Sequence, residues 1–168
     1  MPSGYFGSLC PEYGRMPDFE KDRYLGLWYE GFRDSRIRFE KGDCVTADYS
    51  EPGDKPEYIR VNNSEQRLCP KDKVTRLPRN RAVGNARANP NAAEGEAGLQ
   101  VYFSRFQPVW GNYDILQTDY DNFSVIYSCQ AYFSGLIRSE FAWILMRHPH
   151  LKGSPEFLDI EAKGKAIL

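Results

Sequence analysis

Only two histidines occur in the 168 residues, and the four cysteines, Cys10, Cys44, Cys69 and Cys129, lie far apart with no Cys-x-x-Cys among them. A zinc site has little to build on, and no metal or cofactor is expected. No Ser-His-Asp set is apparent either, since His148 and His150 merely flank Pro149. Net charge is missing too: 22 basic residues against 23 acidic ones leave −1. Such a chain has no field to gather nucleic acid, which is not an expected partner. No apolar run approaches the ~20 residues that a membrane-spanning helix needs, the longest clear one being Phe141 to Met146, and a soluble protein is expected. The first twenty residues, with Pro2, Gly4, Gly7, Pro11 and Pro17, lack the charged start and apolar stretch of a secretory signal. This leaves a mature chain with a replacement Met, or a protein never exported.

What is present is alternation. Residues 1–17 read as an irregular arm, and Asp18 to Arg23 as a turn or 3-10 segment before a strand that starts near Tyr24. Cys44 to Ser50 alternates, Glu51 to Pro56 is rich in turn formers, and Tyr58 to Asn62 alternates again, which is a β-hairpin pattern. Further alternation at 99–103, 113–117, 123–129 and 141–147, with a weaker strand at 80–88, makes eight strands. Many short strands with almost no helical period indicate an all-β sandwich or barrel around one core, in a chain of one-domain size. Only after Pro149 does the pattern turn helical, with Ser154 as N-cap, Pro155 in the first position and an end near Lys163. Asn89 to Gly98 reads as a mobile polar loop. Leu68 to Pro78, near Lys71, Lys73, Arg76 and Arg79, reads as a solvated basic connection.

Widely spaced cysteines point to disulfides and so to an oxidising compartment, whether extracellular, periplasmic or an organelle lumen. Four cysteines permit three pairings, and the residues alone leave all of them open. Asn62-Asn63-Ser64 and Asn122-Phe123-Ser124 fit the glycosylation sequon.

Three blocks carry a family resemblance. They are Asp22-Arg-Tyr-Leu-Gly-Leu-Trp-Tyr-Glu30, then Thr118-Asp119-Tyr120, then Phe141-Ala-Trp-Ile-Leu-Met-Arg147. In this order they resemble the three signature regions of the lipocalins, nearest to the apolipoprotein D and bacterial outer-membrane groups, whereas Glu65 to Gly98 matches poorly. The resemblance decides for the barrel. It implies an eight-stranded antiparallel up-and-down β-barrel with a short C-terminal α-helix, residues 18–168 being a single lipocalin domain. It further implies that Gly26 permits close backbone approach and Trp28 closes the bottom of the cup. Arg147 would lie over that indole, a contact worth about 0.5–2 kcal/mol. Thr118, Asp119 and Tyr120 would form a turn at the same closed end. The helix is shorter than the family's, so the outer wall is expected to be less covered. By the same resemblance Cys10 pairs with Cys129. Cys44 matches a family position whose usual C-terminal partner is absent here, which leaves Cys69 as its expected partner.

Alternate side chains of a barrel strand point inward. Anchoring the last strand on the family's inward tryptophan, here Trp143, sends Phe141 and Leu145 inward, and parity nominates Val45, Ala47, Tyr49, Ile59, Val61, Asn63, Leu99, Val101, Phe103, Tyr113 and Ile115. Such a lining suits a fatty acid, lysophospholipid, steroid, retinoid or carotenoid. The rim loops are expected at 33–42, 68–78, 104–112 and 130–139. Two of them, at 106–110 and 131–137, are apolar enough to meet a membrane, a lipoprotein surface or a protein. Arg33, Arg36 and Arg38 are candidates for a carboxylate or phosphate headgroup. The leading reading is a carrier of a small hydrophobic ligand, not an enzyme. The alternatives are an interaction subunit with an occluded barrel and, more remotely, a lipid isomerase using the Cys44 thiol.

Overall fold

The computed structural model describes residues 5–6, 9–34, 44–66, 79–103 and 109–168. Its elements in chain order are β1 (Tyr5–Phe6), α1 (Lys21–Tyr24), β2 (Gly26–Arg33), β3 (Thr46–Ser50), β4 (Ile59–Gln66), β5 (Arg79–Ala88), β6 (Gly98–Tyr102), β7 (Gly111–Thr118), β8 (Phe123–Tyr132), β9 (Ile137–Met146) and α2 (Pro155–Ile167). From β2 to β9 each strand pairs antiparallel with the next, and β9 returns to pair with β2. Eight strands thus close on themselves, which removes the exposed sheet edges. The arm expected to be irregular contributes β1, two residues paired with Arg138 and Ile137 of β9 beyond the stretch taken by β2.

Several boundaries differ from the sequence expectation. The first strand starts at Gly26, because Tyr24 closes the one-turn helix α1. β4 runs on through Asn62-Asn63-Ser64-Glu65-Gln66, poor strand formers that are nonetheless paired along their whole length with β5. The stretch 130–139 is mostly not a loop. β8 and β9 continue through it, and the chain reverses within Phe133, Ser134 and Gly135, all at positive φ. Helix α2 passes Lys163 and ends at Ile167. Gly164 is what seats it: a Cβ there would fall 2.4 Å from Cδ1 of Ile144. The Ser154 Oγ accepts a hydrogen bond from the Phe157 N–H at 3.2 Å and caps the start.

Two apolar clusters result. One lines the inside of the barrel around Trp28, Tyr49, Ile59 and Ile115. The other lies outside, where Phe157 and Ile160 of α2 meet Ile144, Met146, Phe32 and Phe123. The arm is fixed to the barrel by a disulfide from Cys10 to Cys129. The fully buried Asp114 holds it again, accepting from Arg15 Nε at 2.8 Å and from the Tyr13 hydroxyl. Main-chain bonds from Met16 to Ile115 and Ala97 complete the attachment.

Candidate functional site

The base of the barrel is built from backbone outward. Gly26 has φ of 101°, a conformation that side chains resist, and a Cβ there would lie 3.3 Å from the Arg147 guanidinium. That leaves room for Arg147 to lie with its Cζ 3.9 Å from the centre of a Trp28 ring, while Trp28 itself is 0% exposed. Arg147 donates to the carbonyls of Tyr120 (2.8 Å), Leu27 (3.2 Å), Arg23 (2.7 Å) and Tyr24 (3.3 Å). Beside it the turn after β7 is organised by Asp119, whose carboxylate accepts from the N–H groups of Asp121, Asn122 and Phe123 and from the Asn122 amide. Burial alone would raise the Asp119 pKa, but these hydrogen bonds outweigh it and hold the carboxyl below its ordinary value. Thr118 donates to the Phe123 carbonyl at 2.6 Å, and the Tyr120 hydroxyl accepts from the Glu20 N–H at 2.9 Å.

Above this base, Ala47 and Tyr49 of β3, Ile59 and Val61 of β4, Leu99 and Val101 of β6, Tyr113 and Ile115 of β7, and Trp143 and Leu145 of β9 share the inner cluster, together with Phe103. Phe141 stacks beside Trp143 with ring centres 6.0 Å apart, Val45 is buried just before β3, and Asn63 is half-buried opposite Ala47. Exposure changes along the lining. Tyr49, Ile59, Val61, Ile115 and Leu145 are buried, whereas Val101, Phe103, Tyr113, Phe141 and Trp143 are only half-buried.

Parity missed part of the lining. Ile126 is 0% exposed, belongs to the inner cluster and pairs with Trp143. The alternation at 123–129 located β8 but did not mark its inward face, because α2 and the arm also bury the outer one, where Val125 and Cys129 are fully buried. On β5 the inward positions are Gly84 and Ala86, small residues with little periodic signal. Tyr24 was missed because it enters from α1. Its hydroxyl lies 3.1 Å from Ser124 Oγ and 3.3 Å from the Tyr113 hydroxyl, which is 2.7 Å from that of Tyr49. Burial first of all pushes the Tyr24 pKa up to about 12 and that of Tyr113 well above 10, so both stay neutral donors.

Arg33 is not in a loop. A register shift between Glu30 and Phe32 turns it inward, so that β2 offers Glu30 opposite Leu145 and Arg33 opposite Trp143, 3.5 Å apart as an ion pair. Arg36 and Arg38 fall outside the described residues, as does the 68–78 connection. In the 106–110 segment, Trp110 is turned onto the outer wall. There Arg87 lies 4.1 Å over its ring and Tyr102 stacks at 5.4 Å. The 131–137 segment forms the tip between β8 and β9 and exposes Phe133 (74%) and Leu136 (61%). Cys44 is disulfide-bonded, so the isomerase alternative loses its thiol; Cys69, its expected partner, lies outside the described residues.

Comparison with known proteins agrees with this closed eight-stranded fold. The model of the Lipocalin-like domain matches residues 19–156. The chain belongs to the lipocalin family. Apolipoprotein D of Mus musculus is 38% identical over 144 residues, covering 84% of this chain and 68% of that protein. The Lazarillo protein of Schistocerca americana is 36% identical over 140 residues, 82% of this chain and 60% of that one. Among solved structures, insecticyanin from the tobacco hornworm Manduca sexta superposes with a TM-score of 0.73 at 22% identity, over 100% of this chain and 85% of that chain, a likeness of fold.

Proposed function

We propose that this lipocalin is a carrier that takes one small hydrophobic molecule into its barrel. The observation that carries the reading is the change in exposure along the inner wall. Aromatic residues on the inside of a closed barrel keep part of their surface uncovered where side chains do not fill the lumen, and here Phe103, Tyr113, Phe141 and Trp143 are only partly buried. Burying such surface against a ligand is worth about 25 cal/mol per Å². The set Val45, Ala47, Tyr49, Ile59, Val61, Asn63, Leu99, Val101, Phe103, Tyr113, Ile115, Phe141, Trp143 and Leu145 forms the binding surface. Fatty acids, lysophospholipids, steroids, retinoids and carotenoids are the candidate cargo. The Cys10–Cys129 bond supports work in an oxidising compartment, and secretion is the reading that fits. The exposed Phe133 and Leu136 tip is where a lipid or protein surface would be met.

The test is native purification and mass spectrometry of an organic extract, followed by titration of tryptophan fluorescence with members of each class. A carrier yields a bound lipid or shows saturable quenching that disappears in Trp143→Phe. An empty extract with no quenching by any class ends the proposal.

A further inference from the structure

The outside of the barrel is not uniform. Helix α2 covers the flank of β2, β8 and β9, where Phe32, Phe123, Ile144 and Met146 are packed beneath it. On the other flank a cleft of about 270 Å³ opens between the turn joining β3 to β4 and the outward side chains of β4, β5 and β6. Outward positions of a solvated sheet are ordinarily polar, yet three half-buried aromatic residues meet in this cleft. The ring centre of Trp110 is 6.3 Å from that of Tyr58 and 5.4 Å from that of Tyr102, with the planes tilted by 34° and 35°. The turn beneath them is held by main-chain bonds, from the Lys55 N–H to the Pro52 carbonyl at 3.1 Å and from the Tyr58 N–H to the Lys55 carbonyl at 3.0 Å.

The charge around these rings is one-sided. Lys55 lies 5.9 Å over the Tyr58 ring, Arg87 lies 4.1 Å over the Trp110 ring, and Arg60 is exposed in the wall of the cleft. Arg87 donates to the neutral amide oxygen of Gln100 at 3.1 Å. None of these three cations has an ion-pair partner among the described residues, whereas Arg15, Lys21, Arg23, Arg138 and Lys163 each have one. Asp54 is the single acid lining the cleft, so positive charge is in excess. We infer that this cleft is a second binding site, outside the barrel, for a small planar aromatic anion. A flat ring gains by stacking on tyrosine and tryptophan, and a carboxylate or sulfate on that ring matches the guanidinium fork of Arg60 with Lys55 beside it. The volume admits one or two fused rings and is too small for a long lipid tail. The site is separate from the lumen and stands whether or not the lumen carries cargo.

The experiment is calorimetric titration of the intact protein with indole-3-acetate, with its neutral isostere indole-3-acetamide, and with cyclohexylacetate, an anion that lacks the flat ring. Indole-3-acetate is expected to bind with a dissociation constant of about 1 mM or tighter. It should bind on the order of tenfold more tightly than either control, and its advantage over the amide should shrink as salt is added. Arg60→Gln should bring acid and amide to equal affinity. Trp110→Ala should weaken both indoles by about tenfold, and Tyr58→Ser serves if the tryptophan variant does not fold. No binding of indole-3-acetate, or equal affinity for acid and amide in the unmodified protein, overturns the proposal. So does an affinity for the acid that survives both Arg60→Gln and the ring variant, since the ligand would then be held elsewhere, the lumen included.

Discussion

The two ends of the barrel satisfy their polar groups in opposite ways. At the base, Arg147 spends its donors on four main-chain carbonyls, two from α1, one from β2 and one from the turn after β7, so removing one side chain loosens several segments at once. Towards the mouth, polar side chains face the lumen, as Glu30 with Arg33 and Asn63 do, among aromatic residues that are only partly buried. Side-chain to main-chain hydrogen bonds are concentrated at the base. The half that would receive cargo is left able to adapt, which is how a binding surface is drawn from the less stable part of a fold.

Several substitutions test that division. The largest effect is expected from Trp28→Ala, which empties a fully buried indole site and should cost about 3–5 kcal/mol in urea unfolding. Trp143→Ala, at a half-buried site in the lumen, should cost less than about half of that. Equal losses would break the contrast between base and mouth. Next comes the arm. Replacing Cys10 and Cys129 together by serine opens a crosslink spanning 119 residues of separation and should remove about 2–4 kcal/mol, read as a lower urea midpoint with the barrel's circular dichroism retained.

The remaining effect is a pH dependence. Unfolded, Tyr24 loses its proton near pH 10; folded, burial delays this to about pH 12. Stability is therefore whole below pH 10 and falls as pH rises towards 12, with a slope of about 1.4 kcal/mol per unit from this one group. Tyr24→Phe should flatten that part of the curve. An unchanged alkaline limb would mean that the hydroxyl is not desolvated in the folded state.

Much of this architecture was legible in the chain, and the exceptions have physical causes. Alternation located the strands wherever one face is buried and the other wet, as at Thr46–Ser50. It did not mark the inward side chains where both faces are buried, as on β8, or where the inward residue is nearly featureless, as at Gly84 and Ala86. The apolar stretch Ala131 to Ile137 was taken for a rim loop, since nothing except Gly135 signals a reversal made by three consecutive positive-φ residues. The inward position of Arg33 could not be read from parity, because a register shift after Glu30 breaks it.

That shift has a consequence for how the wall is made. With Gly31 as the extra residue, β2 changes phase by one position, so the same strand delivers Trp28 and Glu30 inside, then Phe32 outside beneath the C-terminal helix and Arg33 inside. A Cβ at position 31 would strike the Met146 side chain at 2.4 Å, so glycine is what lets the slipped register lie flat on its neighbour. Were Gly31 instead to join the ladder as an ordinary paired residue, plain alternation would drive the phenyl ring of Phe32 into the lumen and the guanidinium of Arg33 under the helix. The offset of one residue therefore acts as a sorting device between cargo space and scaffold.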